Sequence, residues 1–135
     1  GIISWAMPTL IALVDDLMFL SRIREAAKGH GVEVKPARTA ADAVAGARAG
    51  ARLVILDLDS RRLPVSDTLA GLRAEPSLTG LPVVGFFSHV EAQRGRDASA
   101  AGCTTVLPRS AFVQKLDGLL AGVASGGGAE PGAGA

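Results

Sequence analysis

Asp15, Asp16, Asp57, Ser88 and Arg109 are the side chains of this chain whose types and spacing could do chemistry. Asp15 and Asp16 close the apolar run Thr9-Leu10-Ile11-Ala12-Leu13-Val14. Asp57 closes a second run, Leu53-Val54-Ile55-Leu56, and Asp59 follows it. Carboxylates gathered in one place repel one another, so either some stay protonated or a cation neutralises them. Oxygen-only ligands in an open crevice favour a hard ion such as Mg²⁺, which keeps several waters and often bridges to phosphate. Ser88, after the apolar run Val83-Val84-Gly85-Phe86-Phe87, offers a hydroxyl, and Arg109 offers a fixed positive charge. A carboxylate nucleophile, an acidic cation site, a hydroxyl and a cation together suit acceptance of a phosphoryl group on Asp57. The cation and Arg109 would neutralise the equatorial oxygens during in-line attack.

The elements that must position these residues can be read from hydrophobic period. Short, fully apolar runs bounded by polar residues are the pattern of strands buried on both faces. The first is expected from Thr9 to about Val14, the third from Leu53 to Asp57 and the fourth over Val83–Phe87. Val32 to Ala37 alternates and reads as a half-buried strand near a sheet edge, while Thr104 to Leu107 is a short fifth strand. Between them the period changes to that of helices. Asp16 stands at the N-cap of the first, which ends at Gly29-His30-Gly31. Thr39 caps a second, Ala40 to about Arg48. A third is expected from Ser66 to Ala74, a weaker fourth from Val90 to Ala101, and a last one capped by Ser110 and carrying the stripe Phe112, Val113, Leu116, Leu119, Leu120 and Val123.

Strict βα alternation implies a parallel sheet with helices on both faces and right-handed crossovers. With the half-exposed second strand at one edge and the short fifth at the other, the expected fold is a (βα)5 doubly wound, flavodoxin-like α/β sheet of order 2-1-3-4-5. That order sets the first and third strands side by side, so Asp15, Asp16 and Asp57 converge at the topological switch point, where ligands of such sheets bind. At 135 residues this is one domain with one chain-length of core. Residues 1–7 read as an N-terminal extension, with Met7 a candidate start and Gly1 to Ala6 an appended sequence. Residues 8–124 form the domain, and 125–135 a flexible Gly/Ala-rich tail. A net charge of +1 and the absence of any polybasic run argue against direct nucleic-acid binding. The lone Cys103 fits a reducing compartment, and no apolar run approaches a membrane span, so the expected location is cytoplasmic.

Taken together, Val14-Asp15-Asp16, the strand-end Asp57, Phe87-Ser88 and Ala101-Gly102-Cys103 before the fifth strand resemble a response-regulator receiver domain, CheY-like, from about Thr9 to Ala124. The resemblance implies a phosphorelay module and not an enzyme. Asp57 would be the phosphoacceptor for a histidine kinase or phosphotransfer protein. Mg²⁺ would be held by Asp15, Asp16, Asp57 and the backbone carbonyl of Asp59. Ser88 would be the switch hydroxyl, Arg109 would replace the usual lysine facing the phosphate, and output would pass through the face of the fourth helix, fifth strand and fifth helix.

The sequence departs from the family pattern at several points. Arg109-Ser110 stands for Lys-Pro, Ser60-Arg61 for Met-Pro, Val65 for a glycine, and Val106 for an aromatic. Arginine is planar and delocalised where lysine is a compact point charge. These changes support an alternative, a pseudo-receiver that binds another protein without phosphorylation. A third reading is a flavodoxin-like small-ligand or nucleotide-binding protein. It ranks last, because Asp16-Leu17-Met18-Phe19 occupies the turn where a glycine-rich phosphate loop would lie.

Overall fold

The structure is a computed structural model, and it describes residues 7–88 and 92–126. Five strands and five helices alternate: β1 Thr9–Leu13, α1 Leu17–Gly29, β2 Glu33–Pro36, α2 Ala40–Arg48, β3 Val54–Asp57, α3 Val65–Arg73, β4 Val83–Phe87, α4 Ala92–Ala100, β5 Thr105–Pro108 and α5 Arg109–Ala124. The strands pair in parallel in the order β2-β1-β3-β4-β5, the expected doubly wound arrangement. A 3-10 turn, Pro76–Leu78, precedes β4. Helix and strand ends lie within a residue or two of their expected places. Val90, the expected start of the fourth helix, lies outside the described residues, as do residues 1–6 and 127–135.

Side chains that alternate along each strand divide between two cores. Leu10 and Ala12 of β1, Ile55 of β3, and Val84 and Phe86 of β4 face α1 and α5. Ile11 and Leu13 of β1, Val54 and Leu56 of β3, and Val83 of β4 face α2, α3 and α4. The first core holds the buried aromatic residues. Phe19, Phe86 and Phe112 form an aromatic trio, with ring centroids 5.0 Å apart for Phe19–Phe86 and for Phe86–Phe112. Burying each such ring is worth roughly 1.5–3 kcal/mol.

Several local choices aim the chain at the upper end of the sheet. Asp16 caps α1 by accepting the Phe19 amide at 3.0 Å, and Thr39 caps α2 through the Asp42 amide. Gly85 lets Leu58 lie over β4: a Cβ there would stand 2.8 Å from Leu58 Cδ1. Leu58 is therefore buried, and its amide continues the ladder to the Phe86 carbonyl at 2.9 Å. At the edge, the β2 amides of Glu33 and of the following Ala37 donate to Pro8 and Ala12. The intervening positions, Val34 and Pro36, therefore turn their backbones outward.

The last helix differs from its expected start. It begins at Arg109 directly after Pro108, whose extended backbone (φ −58, ψ 149) occupies the cap position with no side-chain cap bond. Pro108 ends β5 because it has no N–H to continue the ladder. Its fixed φ then delivers the chain into the helix one residue before Ser110.

Candidate functional site

Asp57 is the centre of the upper end of the sheet. It is the last residue of β3 and only 5% exposed, one of the few polar side chains in the buried set. Backbone amides hold both of its carboxylate oxygens. The Asp59 N–H donates to Oδ1 at 3.1 Å and the Asp15 N–H to Oδ2 at 3.4 Å. The topology explains the second bond, since β1 and β3 are adjacent and Leu13 is paired with Leu56. Burial raises the Asp57 pKa above the ordinary carboxylate value, against the opposing pull of those two amides. The carboxyl is thus costly to ionise and fixed in orientation by two amides.

Asp15 is half-buried beside it. The Ser60 hydroxyl lies 3.5 Å from Asp15 Oδ2 and accepts the Leu63 amide at 3.0 Å, so one serine ties the β3–α3 loop to the acidic turn after β1. Sequence reasoning missed this role. Its only signal was the hydroxyl of Ser60 standing where the receiver pattern has methionine. Asp59, expected to act through its backbone carbonyl, also engages through its carboxylate, whose Oδ2 accepts the Ser88 amide at 2.6 Å. That bond joins the loop after β3 to the loop after β4. Ser88 itself is exposed and lies one residue past β4. The sheet register pairs Phe86 with Asp57 and Phe87 with Pro108, so Phe87 occupies the end of the strand.

Asp16 and Arg109 form a separate pair. Asp16 is exposed, and both guanidinium nitrogens of Arg109 lie 3.4 Å from its Oδ2 while its Oδ1 caps α1. The Phe19 amide, and then Arg109, hold the Asp16 carboxyl below the ordinary value of 3.8. The guanidinium carbon of Arg109 lies over the Phe19 ring, 4.1 Å from its centroid, and 5.6 Å from that of Phe86. This is a cation–π seat that lysine could not fill in the same way. Its Nε is buried there without a hydrogen-bond partner. The structure therefore brings Asp57, Asp15, Asp59 and Ser60 together, and sets Asp16 and Arg109 beside them as an ion pair resting on the aromatic core.

Among the described residues, no three His, Cys, Asp or Glu side chains gather closely enough to hold a metal ion. Cys103 is buried, and burial pushes its thiol up to about 11. His30 caps α1 and meets Asp117 at 3.2 Å. Arg61 and Arg62 are exposed. No helix among the described residues is long and apolar enough to cross a membrane.

No sequence-family model matches the chain, and no curated protein does. Solved structures do. The phosphorylated cyanobacterial phytochrome response regulator RcpA is 20% identical, with 87% of this chain and 91% of that one aligned at a TM-score of 0.67. A response regulator from Hahella chejuensis is 19% identical over 87% and 92% of the two chains, with a TM-score of 0.69. The Mn²⁺-bound form of response regulator Rcp1 is 18% identical over 87% and 92%, with a TM-score of 0.65. Together with the 2-1-3-4-5 sheet and its alternating helices, these matches show that this chain has the flavodoxin-like fold of the CheY-like response-regulator receiver domains.

Proposed function

We propose that this chain is a receiver module that takes a phosphoryl group onto Asp57 from a phosphohistidine of a histidine kinase or phosphotransfer protein. The observation that carries this reading is the buried Asp57 carboxylate at the end of the central strand, held by the Asp15 and Asp59 amides. A carboxylate fixed by two amides is oriented before the donor arrives, which lowers the entropic part of the barrier. Oδ2 has the longer amide bond and is the freer nucleophile. As its bond to phosphorus forms, the phosphorus–nitrogen bond of the donor breaks and the imidazole leaves with a proton from solvent. The chain is consumed one-for-one in this step, so it acts as an acceptor and not as an enzyme.

The donor set suits a divalent ion that keeps most of its waters, as Mg²⁺ does. Asp57, Asp15 and the Asp59 carbonyl would hold it, with Asp16 drawn away to Arg109. Bound there, Mg²⁺ would supply charge neutralisation at the phosphoryl oxygens. The phosphorylated state of RcpA and the Mn²⁺ of Rcp1 support this reading by likeness of fold. The Asp59–Ser88 bond ties the acceptor loop to the segment leading into α4, which supports output through the face of α4, β5 and α5.

The test is incubation with Mg²⁺ and acetyl phosphate, followed by intact-mass measurement. A gain of one phosphoryl group, lost in Asp57→Asn, is the expected result. No gain at any donor concentration, together with no Mg²⁺ binding by titration, would replace this reading with the pseudo-receiver one. The observation that favours that second reading is Arg109, whose guanidinium is committed to Asp16 and Phe19. The nucleotide-binding alternative is disfavoured by the first turn of α1, where Asp16 already takes the Phe19 amide that a phosphate would need.

A further inference from the structure

Asp59 holds two groups of the site with two different parts of itself. Its backbone N–H donates to Asp57 Oδ1 at 3.1 Å, and its carboxylate Oδ2 accepts the Ser88 amide at 2.6 Å. The second bond stands where the sheet ladder would run on. β3 and β4 are parallel with Asp57 paired to Phe86, and the Leu58 amide donates to the Phe86 carbonyl. One further rung of a parallel ladder would carry the Ser88 amide to a backbone carbonyl of the neighbouring strand. The Asp59 side chain takes that amide instead. A backbone rung is lost only when strands part, whereas a side-chain rung is lost by rotation between staggered conformers. Asp59 is half-buried, and among the described residues no cation pairs with it.

Both holds respond to what Asp57 carries. While Asp57 is a carboxylate, Oδ1 takes the Asp59 amide in a charge-assisted bond, roughly twice as strong as a neutral one. A phosphoryl group on Oδ2 turns Oδ1 into a neutral carbonyl oxygen and brings a charge of about −1.5 to −2 to the site. Like charge already matters there: of the causes that raise the Asp57 pKa, burial comes first and the Asp59 charge second. Modification of Asp57 therefore weakens the hold on the Asp59 amide and repels the Asp59 carboxylate. Both effects act to detach Ser88.

We propose that Asp59 is a positioning residue that relays the state of Asp57 to Ser88. Its carboxylate retains the Ser88 amide while Asp57 is a free carboxylate and releases it once Asp57 is modified. The modified state rests on the acceptor reading above, but the relay itself is measured without a donor. In the isotopically labelled full chain, with no Mg²⁺ or phosphodonor, the Ser88 amide proton is followed by its chemical shift and its exchange with water at one pH. The amide of Ile55, fully buried in β3, is the internal reference. A downfield Ser88 proton is expected in the wild type. Asp59→Ala should move it upfield and speed its exchange roughly fivefold or more, with Asp59→Asn, which keeps a neutral acceptor, in between. Asp57→Val, a side chain suited to a buried strand, should speed Ser88 exchange roughly threefold or more. Asp57→Asn keeps a neutral oxygen for the Asp59 amide and should do so less. Unchanged Ser88 exchange in Asp59→Ala or in Asp57→Val would overturn the proposal, as would an increase that Ile55 shares, which is general loosening. Adding Mg²⁺ and acetyl phosphate to the wild type should then release Ser88 in step with the gain in mass. A gain in mass with Ser88 still protected overturns the relay alone. No gain in mass overturns the acceptor reading alone, and the variants still decide the relay.

Discussion

The direction in which Arg109 points decides how the acidic site is balanced, and a double-mutant cycle measures it. Asp16→Asn removes the charge of Asp16 but keeps the α1 cap, because asparagine and aspartate cap about equally well. Arg109→Gln removes the guanidinium charge at similar length. At the observed 3.4 Å, Coulomb attraction is about 1 kcal/mol in water and about 5 kcal/mol at an effective dielectric constant of 20. The two side chains are 33% and 44% exposed, so the screened end of that range applies. A coupling of ~0.5–1 kcal/mol is expected from urea unfolding of the wild type, both single variants and the double variant. In 1 M salt, with a Debye length near 3 Å, most of it should vanish. The Asp16 carboxyl is held below its ordinary value of 3.8, first by the Phe19 amide. Its contribution is therefore present above that pH and lost as pH falls through the folded pKa, and the coupling should disappear with it in acid. The reasoning is refuted if the cycle of Arg109→Gln with Asp57→Asn shows the larger coupling, because Arg109 would then face the acceptor and not the cap.

Asp57 should show opposite trends in stability and reactivity. Its pKa is raised by burial, so its stabilising effect is complete below the ordinary value and declines as pH rises through the folded pKa. Phosphoryl uptake requires the carboxylate and should rise over the same window. Thermal midpoints measured from acid to neutral pH should show that decline in the wild type and lack it in Asp57→Asn. Phe112 is fully buried against Phe86 and Phe19, so Phe112→Ala should cost about 3–5 kcal/mol in urea unfolding, and a loss under 1 kcal/mol would contradict the packing. The Cys103 thiol, pushed up to about 11, should resist iodoacetamide at pH 8 in the folded chain and react promptly once urea unfolds it. Gly102 has φ +117, and a Cβ there would collide with the Arg73 side chain. Gly102→Ala should therefore destabilise by at least ~1–2 kcal/mol, and an unchanged unfolding midpoint would remove that argument.

The layout of the site was legible in the sequence because it depends on backbone topology. Apolar runs alternating with helical periods give a parallel sheet. The half-exposed Val32–Ala37 run and the short Thr104–Leu107 run then leave only the interior for the first, third and fourth strands, which puts Asp15 beside Asp57. What escaped was the direction of individual side chains. Arg109 was expected to face a phosphate, and its guanidinium lies over the Phe19 ring beside the carboxylate of Asp16. Asp59 was read for its carbonyl, and its carboxylate turned out to hold the Ser88 amide. Ser60 looked like a loop residue until the fold brought Asp15 within reach of its hydroxyl. Each of these depends on contacts more than twenty residues apart in the chain, which periodicity cannot report. The start of α5 was missed for a local reason, since Pro108 and not Ser110 sets the entry to the helix.

The edge strand β2 has a consequence for how copies of this domain can meet. Of its outward-turned positions, Val34 offers an N–H but Pro36 has none to offer. A strand laid against this edge would leave one of its own carbonyls without a donor, at a cost of roughly 1–3 kcal/mol if water were excluded. The sheet is therefore terminated chemically at β2, and crowding of identical domains on one assembly would not by itself convert that edge into a shared, continuous sheet.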